Sequence, residues 1–171
     1  MKMPVLPLLV MALGCGGEGR GGPGRLEVEW TGADTGNVEM PARALWCGPD
    51  SVLQITGALG DTGVAVVFLP EDTMRPGVYS VHLPLRARTR PGARLALRWP
   101  GRSAIEGFYG ISGSVTVDSG ETIGGTLEGT LRSADDGREI TVIGVFRELT
   151  VQPGSAESCG SPPDSSVAGD Q

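Results

Sequence analysis

Ile123-Gly124-Gly125-Thr126-Leu127-Glu128-Gly129-Thr130-Leu131 decides the fold. The odd-numbered positions are Ile, Leu or Gly, and the even-numbered ones are Gly, Thr or Glu. A period of two sends successive side chains to opposite faces of an extended chain. The stretch therefore reads as a strand with one buried and one wet face; a helix would need its apolar residues three and four apart.

The same period recurs on both sides. Leu26, Val28 and Trp30 alternate with Glu27 and Glu29. Ile111, Gly113, Val115 and Val117 alternate with Ser112, Ser114, Thr116 and Asp118. Residues 64–69 and 140–146 are apolar at almost every position and read as central strands, covered on both faces. Shorter candidates are 38–45, 52–56, 78–83 and 95–99. Turn signals separate these runs: Gly48-Pro49-Asp50, Gly60-Asp61-Thr62-Gly63, Pro76-Gly77, Pro91-Gly92, Pro100-Gly101, Asp118-Ser119-Gly120 and Asp135-Asp136-Gly137. No window of about ten residues shows a helical stripe. The expectation is all-β: a single antiparallel β-sandwich or small barrel of about eight or nine strands, with 108–149 as a meander.

Composition agrees. The chain has 171 residues, including 28 Gly and 13 Pro, which excludes a coiled coil or helical bundle. The length suits one domain. The net charge of −6 argues against capture of nucleic acid by the whole surface. Three segments flank or fill the unit: 1–14 as a leader, 15–24 as a glycine-rich tether, and 25–152 as the β domain. Residues 153–171, rich in Ser, Gly, Pro and Asp, read as a loose tail, except where a bridge at Cys159 would pin it.

The leader begins Met1-Lys2-Met3 and continues as an apolar run of ten residues, 4–13, too short to span a bilayer as a helix. Ala12-Leu13-Gly14-Cys15 follows. This resembles the lipobox of bacterial lipoproteins, in which a small residue precedes a cysteine that is lipidated and becomes the mature N-terminus. Gly14 and Cys15 match. Ala12 and Leu13 depart from the usual order, and Ala12-x-Gly14 also suits ordinary signal peptidase. The resemblance implies lipidation at Cys15, export, and a membrane anchor in the cell envelope. Gly16, which is not Asp, implies the outer membrane in a cell with two. The stretch 108–149, with its Gly125-Thr126-Leu127-Glu128-Gly129-Thr130-Leu131 alternation, is similar in pattern to β-rich bacterial lipoproteins of unassigned activity, and brings no functional residue with it.

The chain has three cysteines. If Cys15 carries lipid, Cys47 and Cys159 remain as one pair, or else as two free thiols. Trp46-Cys47-Gly48-Pro49-Asp50 looks like the thioredoxin motif, but Asp50 replaces the resolving cysteine, and its charge would raise the pKa of a nearby thiol. The β-branched run after it offers no helix. A strand end with a half-cystine and a Gly-Pro turn is the better reading.

Other chemistry is sparse. Gly110-Ile111-Ser112-Gly113-Ser114 misses the nucleophile elbow at its last position. His82 is the single histidine, too few for a zinc cluster. Glu71-Asp72, Asp118/Glu121 and Asp135-Asp136 fall at turns and lack EF-hand order. No cofactor or metal is implied. Trp30, Trp46, Trp99, Phe108 and Tyr109 fit core positions as well as a pocket lining. The most distinctive feature is a cluster of bases. Arg86, Arg88, Arg90, Arg94, Arg98 and Arg102 fall within residues 86–102, which contain no acid. The cluster is either a solvated hairpin that protects a sheet edge, or a patch for an envelope protein or an anionic glycan or lipid. The resulting expectation is a non-catalytic binding or structural module; the alternative is a lipid or small-molecule carrier with a barrel cavity.

Overall fold

The structure, a computed structural model of the chain, describes residues 24–83, 89–101, 104–155 and 158–159. Ten strands follow in order: β1 (Gly24–Gly32), β2 (Gly36–Cys47), β3 (Val52–Leu59), β4 (Thr62–Leu69), β5 (Gly77–Ser80), β6 (Gly92–Pro100), β7 (Ile105–Val117), β8 (Ile123–Ser133), β9 (Glu139–Leu149) and β10 (Val151–Pro153). Of the two expected architectures, the chain adopts the barrel. Strands β1-β2-β3-β4-β6-β7-β8-β9 pair in antiparallel succession, and β9 pairs back onto β1. Eight strands thus close into a ring, and closure removes the unpaired edges that a sandwich would have to protect. The expected meander is β7-β8-β9.

Two strands lie off the ring. β5 pairs with the far half of β7, where Ser80 faces Ser114. β10 runs parallel to β2, with Val151–Pro153 beside Ala44–Trp46.

Alternation does what the sequence promised at most positions. Leu26, Val28, Trp30, Met40, Leu53, Ile55, Val66, Phe68, Leu95, Leu97, Leu127, Leu131 and Phe146 point inward and are buried. Aromatic rings fill one end of the interior. Trp99 lies between Trp30 and Phe108, stacked on both, with centroids 5.0 and 4.4 Å away. At the other end Phe68 meets Tyr79 and Phe146 edge-on. Gly125 makes the room: a Cβ there would meet the Phe146 ring at 2.7 Å and the Thr116 carbonyl oxygen at 1.9 Å.

Two local expectations need correction. Ile111 was in phase with Val115, yet a bulge between Gly110 and Ser112 shifts the register, so Phe108 and Gly110 face the core before it and Val115 and Val117 after it. Strand β9 was to be covered on both faces; instead Ile143 points outward and is 53% exposed, because a closed single-layer barrel has no second layer.

Strand β4, also expected to be covered on both faces, is so only at its end, and for a different reason. The outward side chains of Cys47, Val52 and Leu69 are buried in a cluster with Cys159, from the segment that follows β10. Cys47 and Cys159 form a disulfide spanning 112 residues. Cys159 packs with Val52, Val67 and Leu69, and its carbonyl accepts a 3.2 Å hydrogen bond from Gln54 Nε2. The tail is thus a strap pinned to the outer wall up to Cys159. The amino end of β1, the Gly48–Asp50 turn and the disulfide share one rim of the barrel, here the near rim. The β1–β2, β3–β4 and β8–β9 hairpins form the far rim.

Candidate functional site

The expected arginine patch divides. Arg86, Arg88 and Arg102 lie outside the described residues, and so does Cys15. Arg90 is committed to structure: its guanidinium donates to the carbonyl oxygens of Asp50 (2.6 Å), Pro70 (2.8 Å) and Ser51 (3.3 Å), tying the β2–β3 turn to the end of β4. Arg94 and Arg98 stand on β6 opposite Val67 and Gly63. Both belong to the outward-facing set, because Leu95, Leu97 and Trp99 take the inward positions.

Arg98 leads to a site that the sequence reading missed. A recess of about 750 Å³ lies on the outer wall across β2, β3, β4, β6 and β7. Its floor is small: Ala58, Gly63, Ala65, Ala96 and Gly107. Cross-strand pairing explains the shape. One row runs Arg43, Thr56, Ala65, Ala96; the next holds Ala58, Gly63, Arg98, Gly107. Small residues meet small residues across four strands, so the wall sinks between taller neighbours. Gly63 also lets Arg98 lie down, since a Cβ there would meet Arg98 Nε at 3.1 Å. Arg43 Nε donates to Thr56 Oγ1 at 3.3 Å. Neither guanidinium is in an ion pair among the described residues, and no acid lines the recess. In an acidic protein, this is an apolar floor between two unneutralised cations.

The opposite wall has the reverse character. Glu27, Glu29 and Glu128 line it, with Ser114, Thr116, Thr126, Ile143 and Val145, and no base. Glu29 and Glu128 are the direct cross-strand neighbours of Ile143, one on each side.

The remaining candidates are placed as follows. Cys47 is bridged, and Gly48–Asp50 is a single 3-10 turn running straight into β3. Ser112 is exposed on β7, and His82 follows the isolated bridge of Val81 to Ala93. Glu71-Asp72, Asp118/Glu121 and Asp135-Asp136 lie in connections; among the described residues no group of three His, Cys, Asp or Glu is arranged to hold a metal ion. Trp30, Trp99 and Phe108 are core, Trp46 packs at its margin, and Tyr109 is half-buried. Trp30 Nε1 is buried without a hydrogen-bond partner among the described residues.

At the far rim Arg138 pairs with Glu106 (2.9 Å) and with Asp136. Hydrogen bonds from Ser133 and then Arg138 hold the Asp136 carboxyl below its usual pKa. Comparison with protein-family models, with curated proteins and with solved structures finds no match to the chain.

Proposed function

We propose that the chain is a lipid-anchored protein of the cell envelope whose barrel is a non-catalytic binding module, and that it binds acidic partners through the recess between Arg43 and Arg98. The observation that carries the binding reading is where the space lies. Stacked aromatics and aliphatic side chains fill the barrel, whereas the recess opens from the outer wall. A carrier would need that volume inside. Two guanidiniums at the edge of an apolar floor suit a carboxylate-bearing partner with an apolar contact surface.

The leader supports the anchoring half. With lipid on Cys15, the tether 16–24 leads into β1 at the near rim, so the far rim points away from the membrane. A glycine-rich linker of that length spans roughly 15–20 Å, which leaves the outer wall accessible.

Two measurements test the two halves. Cells fed an alkyne fatty acid should label the wild-type chain and not Cys15→Ser; equal labelling, or none in either, rejects the anchor. Fluorescent poly-glutamate should bind the folded domain and bind at least about tenfold more weakly to Arg43→Ser/Arg98→Ser, the loss of two charge-assisted contacts. No binding, or binding indifferent to these residues, rejects the recess.

A further inference from the structure

We propose that the partner of the recess is a second copy of this chain, which offers its opposite wall: Ile143 seats on the Ala65–Ala96 floor of its neighbour, with Glu29 and Glu128 meeting Arg98 and Arg43. This rests on the reading of the recess as a binding surface and names its occupant.

Three observations converge. The first is charge. The molecule is acidic, yet one lining has two arginines and no acid, and the other has three glutamates and no base. Each wall repels a copy of itself and attracts the other, which opposes a two-fold dimer and favours head-to-tail pairing. The second is shape. Ile143 is a large apolar side chain left 53% exposed between two carboxylates, and the recess is floored by side chains no larger than methyl. An exposed β-branched residue and a floor of alanine and glycine lose the same water on contact.

The third is spacing. Glu29 and Glu128 sit one strand either side of Ile143, so they are about 10 Å apart. Arg43 and Arg98 sit on β2 and β6 with β3 and β4 between and are offset by two residues along the strands, so they are about 16 Å apart, and long side chains reach inward from each. The carboxylates therefore fit between the guanidiniums. The two walls lie on opposite sides of one barrel, so each added copy presents a fresh recess. The contact is heterologous and propagates, as a row or a ring, until something caps it. A lipid anchor would confine the copies to a plane and raise their local concentration.

The test uses the oxidised chain from Gly16 onward, which contains every strand of the closed barrel and both bridged cysteines. Sedimentation velocity at about 50 mM salt should show concentration-dependent association that fades at about 500 mM. Arg43→Glu/Arg98→Glu should abolish it from the recess side, and Glu29→Arg/Glu128→Arg from the glutamate side. All four positions are outward-facing, so the fold tolerates the change. Mixing the two variants brings an intact glutamate wall to an intact recess only if the pairing is head-to-tail. That mixture should associate again, and beyond a heterodimer, because the exchanged charges make the two altered faces complementary to each other as well. Variants that still associate alone, or that stay monomeric when mixed although the wild type associates, overturn the proposal. A wild type that stays monomeric at low salt yet binds poly-glutamate through Arg43 and Arg98 overturns the self-pairing and leaves the binding reading intact. A wild type that does neither removes both.

Discussion

Cys47 at the end of β2 and Cys159 in the strap are joined across 112 residues, with Cα atoms 5.7 Å apart. The bridge does two jobs at once. It closes a long loop, and it lays an apolar cover over Val52, Val67 and Leu69. In the chain-entropy account a loop of this length contributes up to about 4–5 kcal/mol. Cys47→Ser/Cys159→Ser should lower the urea midpoint by a corresponding amount, and the dye 8-anilinonaphthalene sulfonate should report newly exposed apolar surface. An unchanged midpoint would mean that the cover holds without its pin.

Gly125→Ala tests the tightness of the interior. The added methyl would be driven into the backbone oxygen of Thr116 and the ring of Phe146, neither of which can move far. Overpacking of this kind costs about 3 kcal/mol. The melting temperature should fall by more than for Gly107→Ala, where nothing lies within 4 Å. Equal melting temperatures would show that β7 and β8 can part.

Arg90 is expected to matter for the near rim and not for binding. Its guanidinium serves three carbonyls in two loops. Arg90→Ala should cost about 1–2 kcal/mol and speed amide exchange at Ser51, whereas poly-glutamate binding stays put. Arg90→Lys should recover only part, because a single ammonium lacks the planar fork that spans three acceptors. Weaker poly-glutamate binding by Arg90→Ala would place this arginine in the site after all.

Asp136 gives the far rim a pH signature. Its carboxyl is held below the ordinary value by Ser133 and Arg138, so the ionised form is the stabilising one. That contribution is fully present above the unfolded carboxyl pKa of about 4 and disappears as the pH falls through the lower, folded value. The stability gap between wild type and Asp136→Asn should be constant near neutral pH and close in acid. A gap that widens on acidification would contradict the geometry.

Much of this barrel was legible in a period of two. The alternations at 26–30 and 123–131 and the glycine-bearing turns follow from the geometry of extended chain, which is local. Closure was not legible, because whether the first strand meets β2 alone or also β9 depends on the summed twist and stagger of all eight. The bulge after Gly110 hid for a related reason: one extra residue reverses the phase, and Ile111 looks as apolar as a core position should. Cys47 and Cys159 were paired by counting. The arginines of 86–102 were read as a unit because they are neighbours in sequence. In the fold Arg90 turns to backbone carbonyls, and Arg98 finds its counterpart in Arg43, which sits across four strands and carries no local signal at all.

The ring of strands also sets an order of events. β1 is clasped between β2 and β9, so the first strand made is completed by nearly the last. Until Glu139–Leu149 is available, β1 and β8 each show an unpaired edge and the core lacks Ile140, Val142 and Phe146. Contacts so distant in the chain are slow to form and give nothing until both partners are present. A polypeptide built this way stays open while its earlier strands are made, and locks only once its final long strand arrives. A version ending before residue 139 should therefore melt without a cooperative transition; a sharp melt would mean that seven of the eight ring strands suffice.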